Sequence, residues 1–472
     1  MPSRRDQLVS HQFMMQRVVS AFAYRDADAA RVPFPRAAST FFIGTMVAVL
    51  ALAAVGIYGV LFPGGKKTWR SGEVLILEKE TGARYVYLDD KLHPVLNYTS
   101  ARLILKRQSF SVVSVARTSL RGAARGEPLG IVDAPDSLPE SKRLRRDGWS
   151  LCSRPVTTAT GNSLPAAVLH VASDTRPGRD VGDEALLVRH PDNSLHLVWQ
   201  SRRFLIRQPQ MVLSALALTP TQAIPVAASF LNALPQGADI GPIAIAGRGG
   251  RSALPDARVG QVVATRSQSG DLQYSVVLRD GIADITQLQA DLIINDPATA
   301  TAYRGKKVEP LIRNDLGAAR RSPRGLETST GQEGHPQRRP RIVEGPAARN
   351  SLCLVFGDIT TPTRLVVGAA LPRPGAGVRS AQSGTSATPD EIVVPSGDGI
   401  LVESVSGPEA PTGTFALVTD MGVRYSLASS EVIGYLGYRP DQAKRLPSTL
   451  VAMLREGPAL DPKQARTPGG PT

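Results

Sequence analysis

The sequence predicts a single-pass membrane protein whose outer part is mainly β within the α+β class. Three observations carry that prediction. Residues 39–62, STFFIGTMVAVLALAAVGIYGVLF, hold no charged side chain over about the 20 positions that a helix needs to cross a bilayer. The remainder of the 472-residue chain is long enough for one large or several small folded units. Its 43 glycines and 37 prolines, with abundant Val, Leu and Ile but only 5% aromatic residues, favour short strands and many turns over long helices.

Taken in order, residues 1–38 come first as a cytosolic amphipathic segment. Within residues 5–23, Leu8, Phe13, Met15, Val18, Val19 and Phe22 recur at spacings near three and four with Arg and Gln between them, the pattern of an amphipathic helix. So much apolar surface calls for a partner or a membrane surface to cover it, which makes these six the candidate docking residues. Pro33 and Pro35 are expected to break the chain before the apolar run. In residues 39–62 the polar exceptions are Ser39, Thr40 and Thr45, whose hydroxyls can bond back to helix carbonyls. Arg4, Arg5, Arg17, Arg25, Arg31 and Arg36 outnumber Asp6, Asp26 and Asp28 ahead of the run. That bias places the N-terminus in the cytosol and the large domain outside. A cleaved signal peptide would instead need a far shorter basic region and an apolar core of about 7–15 residues. Tyr58 and Trp69 stand where headgroup-level aromatics would be expected.

Beyond Gly64 and Gly65 the outer domain shows weak self-similarity. Residues 84–105, 186–206, 274–294 and 415–435 each read as an apolar strand, a turn at Asp90, Asp192, Asp280 or Asp420, a second strand, and a polar start to a helix. A β-hairpin plus helical turn, four times over, is the simplest account. Three of the four are preceded by a further strand, beginning at Gly72, Gly260 and Asp398. Residues 208–234 read as a strand, a Thr-Pro break and a short helix. Residues 304–350, with Arg320, Arg321, Arg324, Arg338, Arg339 and Arg341 among Gly, Pro and Ser, and residues 372–391 are expected to be unstructured. A short helix at 447–455 and a frayed tail at 457–472 close the chain.

The net charge of +14 raises nucleic acid as a partner, but the excess is spread and has no aromatic-interleaved basic platform, so nucleic acid is excluded. The two cysteines, Cys152 and Cys353, lie on the outer side, where a disulfide is permitted; two buried thiols are the alternative. The phosphate-loop candidate at 59–68, GVLFPGGKKT, has Gly where a Walker motif requires Lys and lies half within the apolar run. The GRGG run at 247–250 lacks a following helix and reads as a turn. The six histidines, His11, His93, His170, His190, His196 and His335, form no tight ligand pair with a carboxylate. No catalytic, cofactor or metal residue is assigned.

RRDQLVSHQF near the N-terminus, the apolar run, ETGARYVYLDDKLHPVLNYTSARLIL at 80–105, the cysteines in WSLCS and NSLCLVF, and GPALDPKQA from Gly457 together resemble EccB, the single-span core component of actinobacterial type VII (ESX-like) secretion systems. The match runs essentially end to end, strongest at 80–105 and weakest at 304–350. The resemblance implies four repeat units around a central β-rich domain closed by a Cys152–Cys353 bridge. Units one to three and part of the centre then fall in 63–303, a disordered Arg-rich insertion in 304–350, and the rest of the centre with unit four in 351–456. It also implies partners: an EccC-type membrane ATPase, an EccD-type multi-span protein, a mycosin protease and further copies of itself. EccB members are sometimes described as ATPases. A structural scaffold of the secretion complex is therefore the expected function, with an extracytoplasmic ATP hydrolase and a wall-binding repeat protein as alternatives.

Overall fold

The computed structural model describes residues 3–24, 35–61, 67–157, 161–173, 178–267, 270–323, 325–326, 334–372, 377–379 and 388–469. Pro33, Phe62, Gly64, Gly65 and Lys66 lie outside them, as does most of 372–391. Helix α1 (Arg4–Tyr24) is opened by Ser3, whose hydroxyl donates to Asp6 Oδ2 at 2.8 Å while the Asp6 amide donates back to Ser3 Oγ at 3.4 Å. Helix α2 (Pro35–Leu61) contains the apolar run Ser39–Tyr58, long and apolar enough to cross a membrane. Pro35, expected to break the chain, is instead its first residue, where a missing N–H leaves nothing unpaired. Thr45 Oγ1 donates to the Phe41 carbonyl at 2.8 Å, so its hydroxyl is satisfied within the helix.

Downstream, the 3-10 turn Lys67–Ser71 buries Trp69, 1% exposed, edge-on against Tyr87 at 5.3 Å between ring centroids. Trp69 is thus a core residue of the outer domain and not an aromatic at the headgroups. The first sheet follows: β1 (Val74–Glu78), β2 (Arg84–Leu88), β3 (Lys91–Pro94), helix α3 (Tyr98–Leu105) and β4 (Ser111–Val115). The chain then enters a central sheet with β5 (Trp149–Thr157) and β6 (Ser163–His170), and leaves it for the second sheet, β7 (Ala185–Arg189), β8 (Leu195–Trp199), β9 (Arg202–Leu205), helix α4 (Pro209–Leu216) and β10 (Ile224–Pro225). The third sheet comprises β11 (Val262–Arg266), β12 (Leu272–Val277), β13 (Ile282–Ile285), helix α5 (Gln287–Asn295) and β14 (Leu311–Ile312). The chain returns to the central sheet through β15 (Leu352–Phe356), β16 (Arg364–Val367) and β17 (Glu391–Val393). It ends in the fourth sheet, β18 (Ile400–Val405), β19 (Thr414–Val418), β20 (Val423–Ser426), helix α6 (Glu431–Tyr435) and β21 (Lys444–Pro447), followed by α7 (Pro462–Ala465).

In each of the four outer sheets three strands form an antiparallel meander, and the strand after the helix lies parallel to the first of them. Period-two alternation divides the first sheet: Leu75 and Val86 face α3, while Ile76, Tyr85 and Leu92 face Trp69 and Leu120. Helices α3 and α6 share one core, which joins the first sheet to the fourth, and α4 and α5 share another, which joins the second to the third. The central sheet packs Trp149, Leu151 and Leu354 against the second and fourth sheets.

Four local expectations are corrected. The hairpin expected at Asp192 forms between β7 and β8, but the polar stretch after it, expected to start a helix, is strand β9, reached through a turn at Gln200 and Ser201 with φ 46° and 53°. Residues expected to form a strand at 208–218 are helical: Pro209 opens α4, Ala217 ends it in the left-handed region at φ 54°, and Met211, Val212, Ala215 and Leu216 bury one helical face. The described part of 304–350 is folded. It supplies β14, buries Leu316, Val343 and Ala348, and pairs Arg321 with Asp284 and Arg339 with Asp291. Residues 457–469 are packed too, with Leu460 and Ala465 fully buried and Arg466 donating to the Ile104 carbonyl of α3.

Candidate functional site

All six residues proposed for docking lie on α1 and are exposed, from 46% at Val19 to 88% at Phe22. At about 100° per residue, Leu8, Met15, Val18, Val19 and Phe22 fall within an arc of about 100°, which Arg4 and His11 share. Phe13 does not join them, because five residues of helix place it about 140° round from Leu8. Nothing in the helix itself covers the five-residue stripe, since side chains on one face contact their own neighbours only at three and four residues along.

The two cysteines meet in the central sheet. Cys152 of β5 stands directly opposite Cys353 of β15, and the two form a disulfide across 201 positions of sequence. The bridge is buried with Val366 and Ala369 on the face away from Trp149 and Leu151. His170 of β6 is fully buried, paired in register with Ser150, and neither ring nitrogen has a hydrogen-bond partner among the described residues. Nearby, Arg154 Nη2 lies 3.3 Å from Glu391 Oε2, and Glu391 Oε1 accepts from the Gly377 amide at 2.7 Å.

Burial pushes His170 down to about 4, with the Arg154 charge acting the same way and Glu391 against it. Burial likewise pushes His196 to about 4, helped by Arg203 and His190. A histidine in an unfolded chain titrates near 6.5, so below that pH the unfolded state takes up a proton that the folded state refuses. Stability is therefore full above about pH 6.5 and falls as the pH drops, the His170 share of the loss reaching about 3 kcal/mol near pH 4. His170→Leu removes two unsatisfied buried nitrogens and is expected to shrink the gap between guanidinium unfolding curves at pH 7 and pH 5. An unchanged gap in the variant overturns the assignment.

Contrary to the spacing argument, one histidine does pair with a carboxylate. His190 Nδ1 lies 2.9 Å from Asp192 Oδ1, and His196 Nε2 lies 3.1 Å from Ser194 Oγ. Hydrogen bonds from Ser194, and then His190, hold the Asp192 carboxyl well below the usual range. Most polar atoms of this hairpin cluster bond one another, His196 Nδ1 being buried without a partner among the described residues, and no group of three His, Cys, Asp or Glu suited to a metal occurs among them. In the GRGG turn, the Gly249 amide donates to Val259 O at 2.8 Å and the Gly250 amide to Gly247 O at 3.0 Å. Those amides hold the turn together instead of facing a ligand.

Over residues 1–469 the chain matches the family described as type VII secretion system ESX-1, transport TM domain B. It is 25% identical to the ESX-3 secretion system ATPase EccB3 of Mycobacterium tuberculosis, over 97% of this chain and 88% of that protein. It is 26% identical to the ESX-1 secretion system ATPase EccB1 of Mycolicibacterium smegmatis, over 97% of this chain and 94% of that protein. Among solved structures it is similar to a chain of an intact ESX-5 inner membrane complex, with a TM-score of 0.62, 23% identity, and coverage of 100% of this chain and 96% of that one. It is also similar to a chain of the EccB3 dimer from the ESX-3 core complex, with a TM-score of 0.62, 25% identity, and coverage of 83% and 99%.

Proposed function

Because the chain belongs to the EccB family of type VII secretion membrane components, we propose that it is a structural scaffold that assembles the secretion complex on the outer face of the membrane crossed by α2. In this reading α1 lies in the cytosol, as the arginine bias ahead of α2 requires. The four outer sheets are copies of one repeat unit, a reading supported by their shared strand order and by the parallel fourth strand in each. They surround the central sheet in two pairs, the first with the fourth and the second with the third. Its partners are an EccC-type membrane ATPase, an EccD-type multi-span protein, a mycosin protease and other copies of itself.

The observation that carries the docking role is the exposed stripe of α1, an apolar face without a lid of its own. Val18→Glu with Phe22→Glu is expected to reduce the protein's share of the intact complex at least tenfold on native electrophoresis of detergent extracts. Phe13→Glu, on the other side of the helix, is expected to leave it in place. Retention of the double variant in the full-size complex would show that the stripe is not the docking site. Mass spectrometry of the co-migrating chains names the partners, and a reporter active only outside, fused after Thr68, tests the orientation. The relatives are named ATPases, so nucleotide turnover by the purified protein is the outcome that favours the hydrolase reading. Retention on purified peptidoglycan favours the wall binder.

A further inference from the structure

The face of the first sheet that buries Trp69 carries a group of arginines whose position is fixed by the fold. Arg70 lies over the Trp69 ring at 5.2 Å and Arg125 over the Tyr85 ring at 4.7 Å, both aromatic side chains belonging to the core beneath this face. Arg121 follows Leu120, which enters the same core, and Arg117 Nε bonds Glu78 Oε1 at 2.6 Å. All four arginines are exposed. The acids near them are Glu78, which is buried and held below its usual range by Arg117, Glu80, which accepts the Arg117 amide at 2.9 Å, and exposed Asp90, which accepts from the Tyr87 hydroxyl at 3.2 Å beside Trp69. Arg70, Arg121 and Arg125 form no ion pair among the described residues, so the face keeps a net positive charge, with Asp90 an exposed acid in no ion pair beside them.

The chain also dictates where this face can be. Leu61 ends α2 and Lys67 begins the turn that carries Trp69 and Arg70. Six residue steps at no more than about 3.6 Å each keep the two within about 22 Å. The face opposite α3 is thus the part of the outer domain tied most closely to the bilayer.

We propose that this arginine face docks on the anionic headgroups of the leaflet from which α2 emerges, and so sets the outer domain's orientation on the membrane. The inference rests on the reading of α2 as a membrane span. Basic side chains close to an anionic bilayer each favour the docked state about fivefold at moderate salt, and the attraction decays within about one Debye length.

The test uses the full chain in lipid nanodiscs of phosphatidylcholine alone or with phosphatidylglycerol. Ala124→Cys supplies the only free thiol, since Cys152 and Cys353 are bridged, and carries a fluorophore quenched by a nitroxide on the lipid headgroups. Quenching is expected to be several-fold stronger with phosphatidylglycerol, to fall in high salt, and to drop to the phosphatidylcholine level in Arg70→Gln/Arg121→Gln/Arg125→Gln. The matching triple lysine variant keeps the charge and is expected to keep the quenching, which separates loss of charge from loss of fold. Equal quenching in both lipids, or an unaffected glutamine variant, overturns the docking face while leaving the span intact. Failure of the protein to co-elute with nanodiscs overturns the span and the docking face together.

Discussion

Replacing either cysteine of the central sheet, Cys152→Ser or Cys353→Ser, is expected to cost the outer domain about 5 kcal/mol, the chain-entropy value for so long a closed loop. The bridge ties together positions separated by 201 residues, so its loss frees an unfolded chain that includes the whole of the second and third sheets. The double substitution is expected to cost little more than either single one, because both remove the same bond. Guanidinium unfolding followed by tryptophan fluorescence, with Trp149 three residues before Cys152 on β5, reports the change. Additive losses in the double variant would mean that each cysteine contributes by packing alone.

The second large effect lies where the second and third sheets meet. Phe204 is fully buried in their shared core, and a methyl group built on Gly237 would lie 2.2 Å from its ring. Phe204→Ala is expected to cost about 3–5 kcal/mol, the range for emptying a large aromatic site. Gly237→Ala alone is expected to destabilise by crowding the ring, but in the Phe204→Ala background the same methyl enters the vacated space and recovers part of the loss. A double-mutant cycle on the unfolding midpoints measures that coupling. If Gly237→Ala destabilises equally in both backgrounds, the two residues do not compete for one volume.

Local chemistry explains why some elements could be read directly from the sequence. Asn97 caps α3 and Thr286 with Gln289 caps α5, and the turn at Asp89 and Asp90 uses residues that tolerate positive φ. Gln200 and Ser201 adopt the same backbone without that chemistry, so the hairpin before α4 leaves no signal in the sequence, whereas its neighbour at Asp192 does. The tail and the Arg-rich segment look soluble and shapeless because their order is borrowed. Leu460 and Ala465 are buried by the first and fourth sheets, and Val343 by a bond to Ala185 on a distant strand. Of the six apolar residues on α1, five share one side of the helix, whereas Phe13, five residues from both Leu8 and Val18, falls on the other. The histidine pairing at His190 depends on a turn that brings Asp192 back over the ring, which spacing alone does not reveal.

The central sheet is built on two separate visits of the chain, with β5 and β6 waiting for β15 across the whole of the second and third sheets. A sheet whose middle pairing spans so much sequence closes late, because loop closure must come before the pairing can be rewarded. As the chain emerges from its N-terminus, β5 and β6 therefore form a hairpin with both edges unpaired, that of β5 until residue 352 and that of β6 until residue 391 have followed. The second and third sheets, whose strands lie close together in sequence, can form in that interval. Their completion shortens the effective distance between Cys152 and Cys353, which makes the inserted pair of sheets a folding tool for the centre as well as a part of the finished surface.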